Sequence, residues 1–339
     1  MRFLSKFLLV VGLIIATTVV AQQAEAQSKA DVVKAFNAAF KLAQNGQNKE
    51  AIQKFEDCIQ LANKVGKSAE DIKQKAQEQL PPLNYKLAAD YYRNKDIDGA
   101  IQQFEKTYQV AQKYGNKQIA ERSKMNVPKL YYYEGTTDYQ KGDYKAALKA
   151  YDNAIQREPQ YAKAFYQKGL CYMKLDKGTD ATHLDEALKM WDQAISIGTK
   201  VKDSGTVRRA KSAASSFLVY KGANANKAKK YDLGIKLLKR SLNYDNSNPN
   251  AYYRLAQAYN NKGEYRSAVS NGKLSLKYEK GGKTDKAKIW YEIGTAYKYL
   301  KEKSNACDAF QNAAYGNFKA SADHQMKYEV KCDQASASN

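Results

Sequence analysis

Small, large and small residues recur at helical spacing along this chain of 339 residues. The stretch KGDYKAALKAYDNAIQREPQ, residues 141–160, shows the unit. Ala147, Tyr151 and Ala154 are spaced four then three, which puts them on one face of an α-helix. Gly142 suits the end of a preceding helix and Pro159 the end of this one. Another small residue, Gly135, stands twelve positions before Ala147. The same interval joins Ala39/Ala51, Ala88/Ala100, Gly222/Gly234, Ala256/Ala268 and Gly294/Ala306. Two helices approach closely only where neither carries a bulky side chain, so each pair marks a crossing. Four residues after the crossing comes a large residue in most copies: Phe55, Phe104, Tyr151, Leu238 and Phe310. Three further on comes a small one: Cys58, Thr107, Ala154, Ser241, Ser275 and Ala313. A seventh copy opens at Gly169 and closes with Ala187, Trp191 and Ala194, with extra residues around 177–183. No alternating apolar–polar run of useful length appears. The pattern predicts an all-α chain of helix–turn–helix units, breaking near Gly46, Lys95, Gly142, Lys229, Gly263 and Lys301.

This pattern resembles the tetratricopeptide repeat (TPR) family, helix–turn–helix units of about 34 residues that stack into a solenoid. The copy at 249–276 carries Tyr252, Leu255, Ala256, Tyr259, Gly263, Tyr265 and Ala268 where the family expects them. The next has Trp290, Ile293, Gly294, Tyr297, Ala306 and Phe310. Gly272 departs, standing where a large residue belongs; so do Glu134, Asp138 and Ala225. The resemblance implies an α-solenoid of about seven TPR helix–turn–helix repeats with a C-terminal capping helix. The repeats are placed at 32–65, 81–114, 128–161, 162–201, 215–248, 249–282 and 287–318, within a solenoid spanning 27–333. Longer helices through 63–80 and 112–127 separate the first copies. The capping helix is placed at 319–333 and a disordered tail at 334–339.

The first 26 residues add a compartment. Arg2 and Lys6 precede an apolar run at 7–21, and Ala24-Glu25-Ala26 is a small–x–small cleavage signature. The run is short against the roughly 20 residues that span a bilayer. The segment therefore reads as a signal peptide, and the protein as an exported bacterial one, periplasmic or secreted. Four cysteines then meet an oxidising compartment. Cys58 and Cys171 sit at packing positions and read as buried small hydrophobes. Cys307 and Cys332 lie nearly equidistant from the turn YGNF at 315–318, which points to a disulfide across the last hairpin.

Catalytic chemistry has few places to live. The chain has two histidines, His183 and His324, and no zinc pair, nucleophile elbow or Cys–x–x–Cys site. GGKT at 281–284 lacks the first glycine of a phosphate-binding loop and follows no strand, so it reads as an inter-repeat turn. The chain reads as a non-enzyme without cofactor or metal.

Binding remains. The family's first helices line a concave groove, and the residue after the first aromatic packing position tends to face it. Here that residue is Tyr85, Tyr132, Tyr166, Tyr253 or Tyr291. Tyrosine offers a rigid apolar body and a hydroxyl for peptide or glycan contacts; equally, it packs on neighbouring helices. The family's clamp for terminal carboxylates needs lysine here and asparagine four residues on. Ala89, Thr136, Leu170 and Thr295 stand at the second position, so that activity is not implied. Charge adds a second surface. The formal net charge is +21, and residues 200–288 hold 21 Lys or Arg against six Asp or Glu. Arg208, Arg209, Lys211, Lys227, Lys229, Lys230, Lys239 and Arg240 make up a basic zone in repeats 5 and 6. It reads either as a solvated face or as a patch for an acidic protein or peptide. Anionic lipid head groups or an anionic envelope glycan are the alternative partners, and export argues against nucleic acid. The two functional readings are a protein-interaction scaffold and a direct binder of an anionic polymer or membrane surface.

Overall fold

The computed structural model describes residues 28–176 and 182–332, and among these it contains helices and turns but no strand. The expected signal peptide at 1–26, the expected tail at 334–339 and most of the expected insertion at 177–183 lie outside the described residues. The chain divides into two compact units, one ending at Glu134 and the other beginning at Gly135.

In the first unit, α1 (Lys29–Gln44) and α2 (Asn48–Val65) form a hairpin. Ser28 caps α1: its Oγ accepts from the Asp31 N–H at 3.3 Å, while Asp31 accepts from the Ser28 N–H at 2.8 Å. Gly46 makes the turn at φ 75°, a conformation that glycine adopts without a Cβ clash. Ala39 and Ala51 are fully buried at the crossing, with Phe55 and Cys58 beside them. The Cys58 Sγ donates to the Val32 carbonyl, and burial pushes its thiol up.

Helix α3 (Glu70–Arg93) departs from the expected boundary. Its N-terminal half is the segment read as a separating helix. The element runs without a break through Pro81 and Pro82 and includes the first helix of the second repeat. The prolines remove two N–H donors that would have bonded the carbonyls of Gln77 and Glu78, neither of which is a buried residue. The buried anchors Ile72, Ala76, Leu80, Leu83 and Ala88 keep one apolar face running past them. Helix α4 (Ile97–Lys113) follows, capped by Asp96, which accepts from the Gly99 N–H at 2.9 Å. Helix α5 (Lys117–Lys141) repeats the device through Pro128, and its Val127 and Leu130 pack with Ala88, Ala100 and Phe104.

The second unit continues with α6 (Tyr144–Arg157), α7 (Ala162–Leu175), α8 (Thr182–Lys200), α9 (Ser204–Lys227), α10 (Tyr231–Leu242), α11 (Pro249–Lys262), α12 (Tyr265–Tyr278), α13 (Lys283–Tyr299) and α14 (Lys303–Ala313). At the first-helix glycines Gly135, Gly169, Gly222 and Gly294 a large side chain of the next helix occupies the missing volume. A Cβ on Gly135 would come within 2.8 Å of Tyr151, on Gly222 within 2.7 Å of Leu238, and on Gly294 within 2.9 Å of Phe310. On Gly169 it would overlap the buried Trp191. Gly272 follows the same logic: a Cβ there would overlap Ile293, which fills the room that the family's large residue takes. Turns enter the left-handed region at Gly142, Lys202, Lys229, Gly263 and Lys301, and in the first unit at Gly46 and Lys95.

The C-terminus is shorter in α-helix than expected. Helix α15 (Lys319–His324) passes into a π turn, Gln325–Glu329. Cys307 is bonded to Cys332 with a Cα–Cα separation of 5.8 Å. The wider turn ends with the Cys332 N–H donating to the Met326 carbonyl, which delivers the cysteine to α14.

Candidate functional site

The tyrosines of the first helices have different fates. On α3, Tyr85 meets Phe104 edge-on at 5.3 Å, its hydroxyl accepts from Asn126 Nδ2 at 3.1 Å, and the Arg122 guanidinium lies 5.0 Å from its ring. It lines a cavity of about 310 Å³ with Ala89, Tyr92, Leu130 and Tyr133. Tyr132 is half-buried on α5. Tyr166 packs against the core around Trp191, with the Arg209 guanidinium 5.5 Å from its ring. Tyr253 is only 7% exposed, and burial raises its phenol. Tyr291 packs on Phe310 and Phe318, at 5.5 and 5.4 Å. Tyr253 and Tyr291 thus support the stack.

Two half-exposed rings that the positional reading missed complete the first cavity. Tyr92 and Tyr133 are 48% and 47% exposed and meet edge to face at 6.4 Å. Tyr92 stands seven residues after Tyr85, two turns along the same face, and that spacing is the signal that would have found it.

The basic residues are distributed over several local environments. Successive residues on α9 point about 100° apart, so Arg208 and Arg209 diverge. Arg208 and Lys211 border one cavity of about 670 Å³. Lys227 borders another, about 360 Å³, with Tyr220, Asn224, Asn248 and Arg254. Lys239 lies 6.0 Å from the Tyr259 ring, and Arg240 pairs with Asp185 at 3.4 Å. Lys229 holds the left-handed turn position beside Lys230.

A half-buried polar network stands behind Arg254. Its Nη1 donates to Gln257 Oε1 at 2.7 Å. Gln257 Nε2 donates to Glu292 Oε1 at 3.0 Å, and Asn260 Nδ2 to Glu292 Oε2 at 2.8 Å. Burial raises the Glu292 carboxyl against the opposing pull of these hydrogen bonds. Asn226 and Asn260 play matching parts in successive repeats: each donates to a backbone carbonyl of the next first helix, at Arg254 and Glu292.

Cys58 and Cys171 are free and buried, and burial pushes the Cys171 thiol up to about 12, so neither is a nucleophile at neutral pH. Among the described residues no group of three His, Cys, Asp or Glu is placed to hold a metal ion. No described helix is long and apolar enough to cross a membrane.

Family models match three stretches: one described as TPR repeat at residues 135–176, and one described as tetratricopeptide repeat at 249–280 and 287–315. No curated protein matches the sequence. Similar solved structures include a MamA protein at 18% identity, covering 60% of this chain and 95% of that one with a TM-score of 0.37. YrrB, titled a TPR protein with an unusual peptide-binding site, aligns at 18% identity over 58% of this chain and 91% of its own, with a TM-score of 0.36. PilW, titled a widely conserved type IV pilus biogenesis factor, aligns at 16% identity over 72% and 98%, with a TM-score of 0.33.

Proposed function

We propose that this chain, a protein built from tetratricopeptide repeats, is a non-catalytic interaction scaffold of the bacterial envelope that holds a peptide or protein segment on its first-helix faces. The observation that carries this reading is the cavity under Tyr85, Tyr92 and Tyr133. Half-exposed aromatic rings around a small apolar hollow bind a large side chain at low entropic cost, as interface anchors do. The second-unit cavity beside Tyr220, Lys227 and Arg254 adds hydrogen-bond donors and positive charge, which suits an acidic peptide stretch. The envelope setting rests on the signal-like first 26 residues.

The competing reading, a direct binder of an anionic polymer or membrane, would make charge dominant. Capture of partners from envelope extract by the whole chain, at low and high salt, separates the two. The scaffold reading expects the same captured proteins at both salt levels. It also expects their loss from the Tyr92→Ala/Tyr133→Ala variant. Reversing Arg208, Arg209, Lys211, Lys239 and Arg240 to Glu should weaken capture mainly at low salt, because exposed charges are screened over about 8 Å at physiological strength. Capture abolished by salt alone, with the tyrosine variant behaving as wild type, would overturn the scaffold reading.

A further inference from the structure

A cavity of about 670 Å³ is bordered by Gly198 at the end of α8, Lys202 in the turn, Val207, Arg208 and Lys211 on α9, and Tyr244 after α10. It shares no lining residue with the cavity beside Arg254. Its volume lies within the range of small-molecule sites, about 300–1,000 Å³.

Charge and shape agree on what would enter. Lys202, Arg208 and Lys211 take part in no ion pair among the described residues. The carboxylates nearby are otherwise engaged. Asp203 is turned to cap α9, accepting from the Thr206 N–H at 3.0 Å and its hydroxyl at 2.7 Å, and these bonds hold its carboxyl below the usual range. Asp245, the one acidic residue in the lining, accepts from the Ser247 N–H at 3.0 Å and its hydroxyl at 2.8 Å. Three cations against one anion leave the lining at +2. The remaining wall combines the apolar surfaces of Val207 and Tyr244 with the small polar residues Thr199, Ser204 and Ser212. Val207 lies against α8, where a Cβ on Gly198 would come within 2.9 Å of it. The Tyr244 ring is fixed by its hydroxyl, which donates to Asp192 at 2.8 Å. Burial and Asp192 push that phenol up to about 12, so the ring adds no negative charge.

We infer that this cavity binds an organic phosphomonoester, its dianionic head between Lys202, Arg208 and Lys211 and its apolar body against Val207 and Tyr244. A dianion matches the residual charge, and the Arg208 fork suits phosphate oxygens. The inference is independent of the groove reading, because none of the groove tyrosines borders this cavity.

Calorimetric titration of the whole chain with phenyl phosphate tests it, with inorganic phosphate and phenol as the two halves of the ligand. Saturable one-to-one binding of phenyl phosphate is expected, about tenfold or more tighter than either half. Arg208→Ala and Lys211→Ala should each weaken it several-fold, and both residues are exposed, so folding should survive. Tyr92→Ala/Tyr133→Ala should bind phenyl phosphate as the wild type does. No saturable binding, phenol binding as tightly as phenyl phosphate, or indifference to Arg208→Ala would overturn the inference. Failure of the groove experiments would leave this titration unchanged.

Discussion

Glu292 shows how much a single side chain depends on its surroundings. Burial disfavours its charged form and raises its carboxyl above the unfolded value of 4.5, while Asn260, Gln257 and Arg254 oppose the shift. A native group that holds its proton more tightly than the unfolded one loses stability as pH rises through that window. The Asp31, Asp57, Asp71 and Asp203 carboxyls are held below 3.8 and act the other way, losing stability as pH falls through the acid range. Urea unfolding of wild type and Glu292→Gln across mildly acidic to neutral pH should separate these effects. The wild type should lose stability relative to the variant as pH climbs above 4.5, and parallel pH profiles would remove the argument. None of this was legible in the sequence, where Glu292 is one acidic residue among 35. Its partners Gln257 and Asn260 come from the preceding first helix, and stacking alone brings them together. The crossings were legible, because a small residue must oppose a large one: Gly135 faces Tyr151 and Gly294 faces Phe310.

At the scale of elements, the turns were easier to read than the helix starts. A turn needs a residue that accepts positive φ, and Gly46, Gly142 and Gly263 announce themselves. Lys95, Lys229 and Lys301 were found only by their interval from neighbouring crossings. Helices α3 and α5 begin well before the repeats they belong to. Proline usually marks a helix start, and here Pro81, Pro82 and Pro128 lie inside helices that are held by tertiary packing. The last element is tied down covalently. Cys307 and Cys332 are 25 residues apart, and α14 has a neighbouring helix pair on one side only. In the chain-entropy view a closed loop of this length contributes on the order of 3 kcal/mol. Cys307→Ser should therefore speed amide hydrogen exchange in α14 and α15 well beyond any change in α6 to α8. Unreduced peptide mapping should find Cys307 joined to Cys332, with Cys58 and Cys171 free. Unchanged exchange in the last hairpin would remove the bridge as a stabiliser.

For the whole molecule, a net charge of +21 is a weaker guide than the placement of individual side chains. The basic run at 200–288 resolves into cations with separate duties: Arg209 lies over Tyr166, Arg240 pairs with Asp185, and Arg208 and Lys211 border an open cavity. The sequence count cannot show this division, because helix rotation and stacking decide which neighbours each cation meets. The aromatic face of the first unit is better defined, and it carries the central claim of peptide recognition. Selection of a random displayed peptide library on the whole chain tests that claim without knowledge of the partner. The expected result is enrichment of peptides with a large aromatic or aliphatic anchor, retained at high salt and lost from Tyr92→Ala/Tyr133→Ala. Enrichment of acidic peptides alone, released by salt and indifferent to that variant, would contradict it.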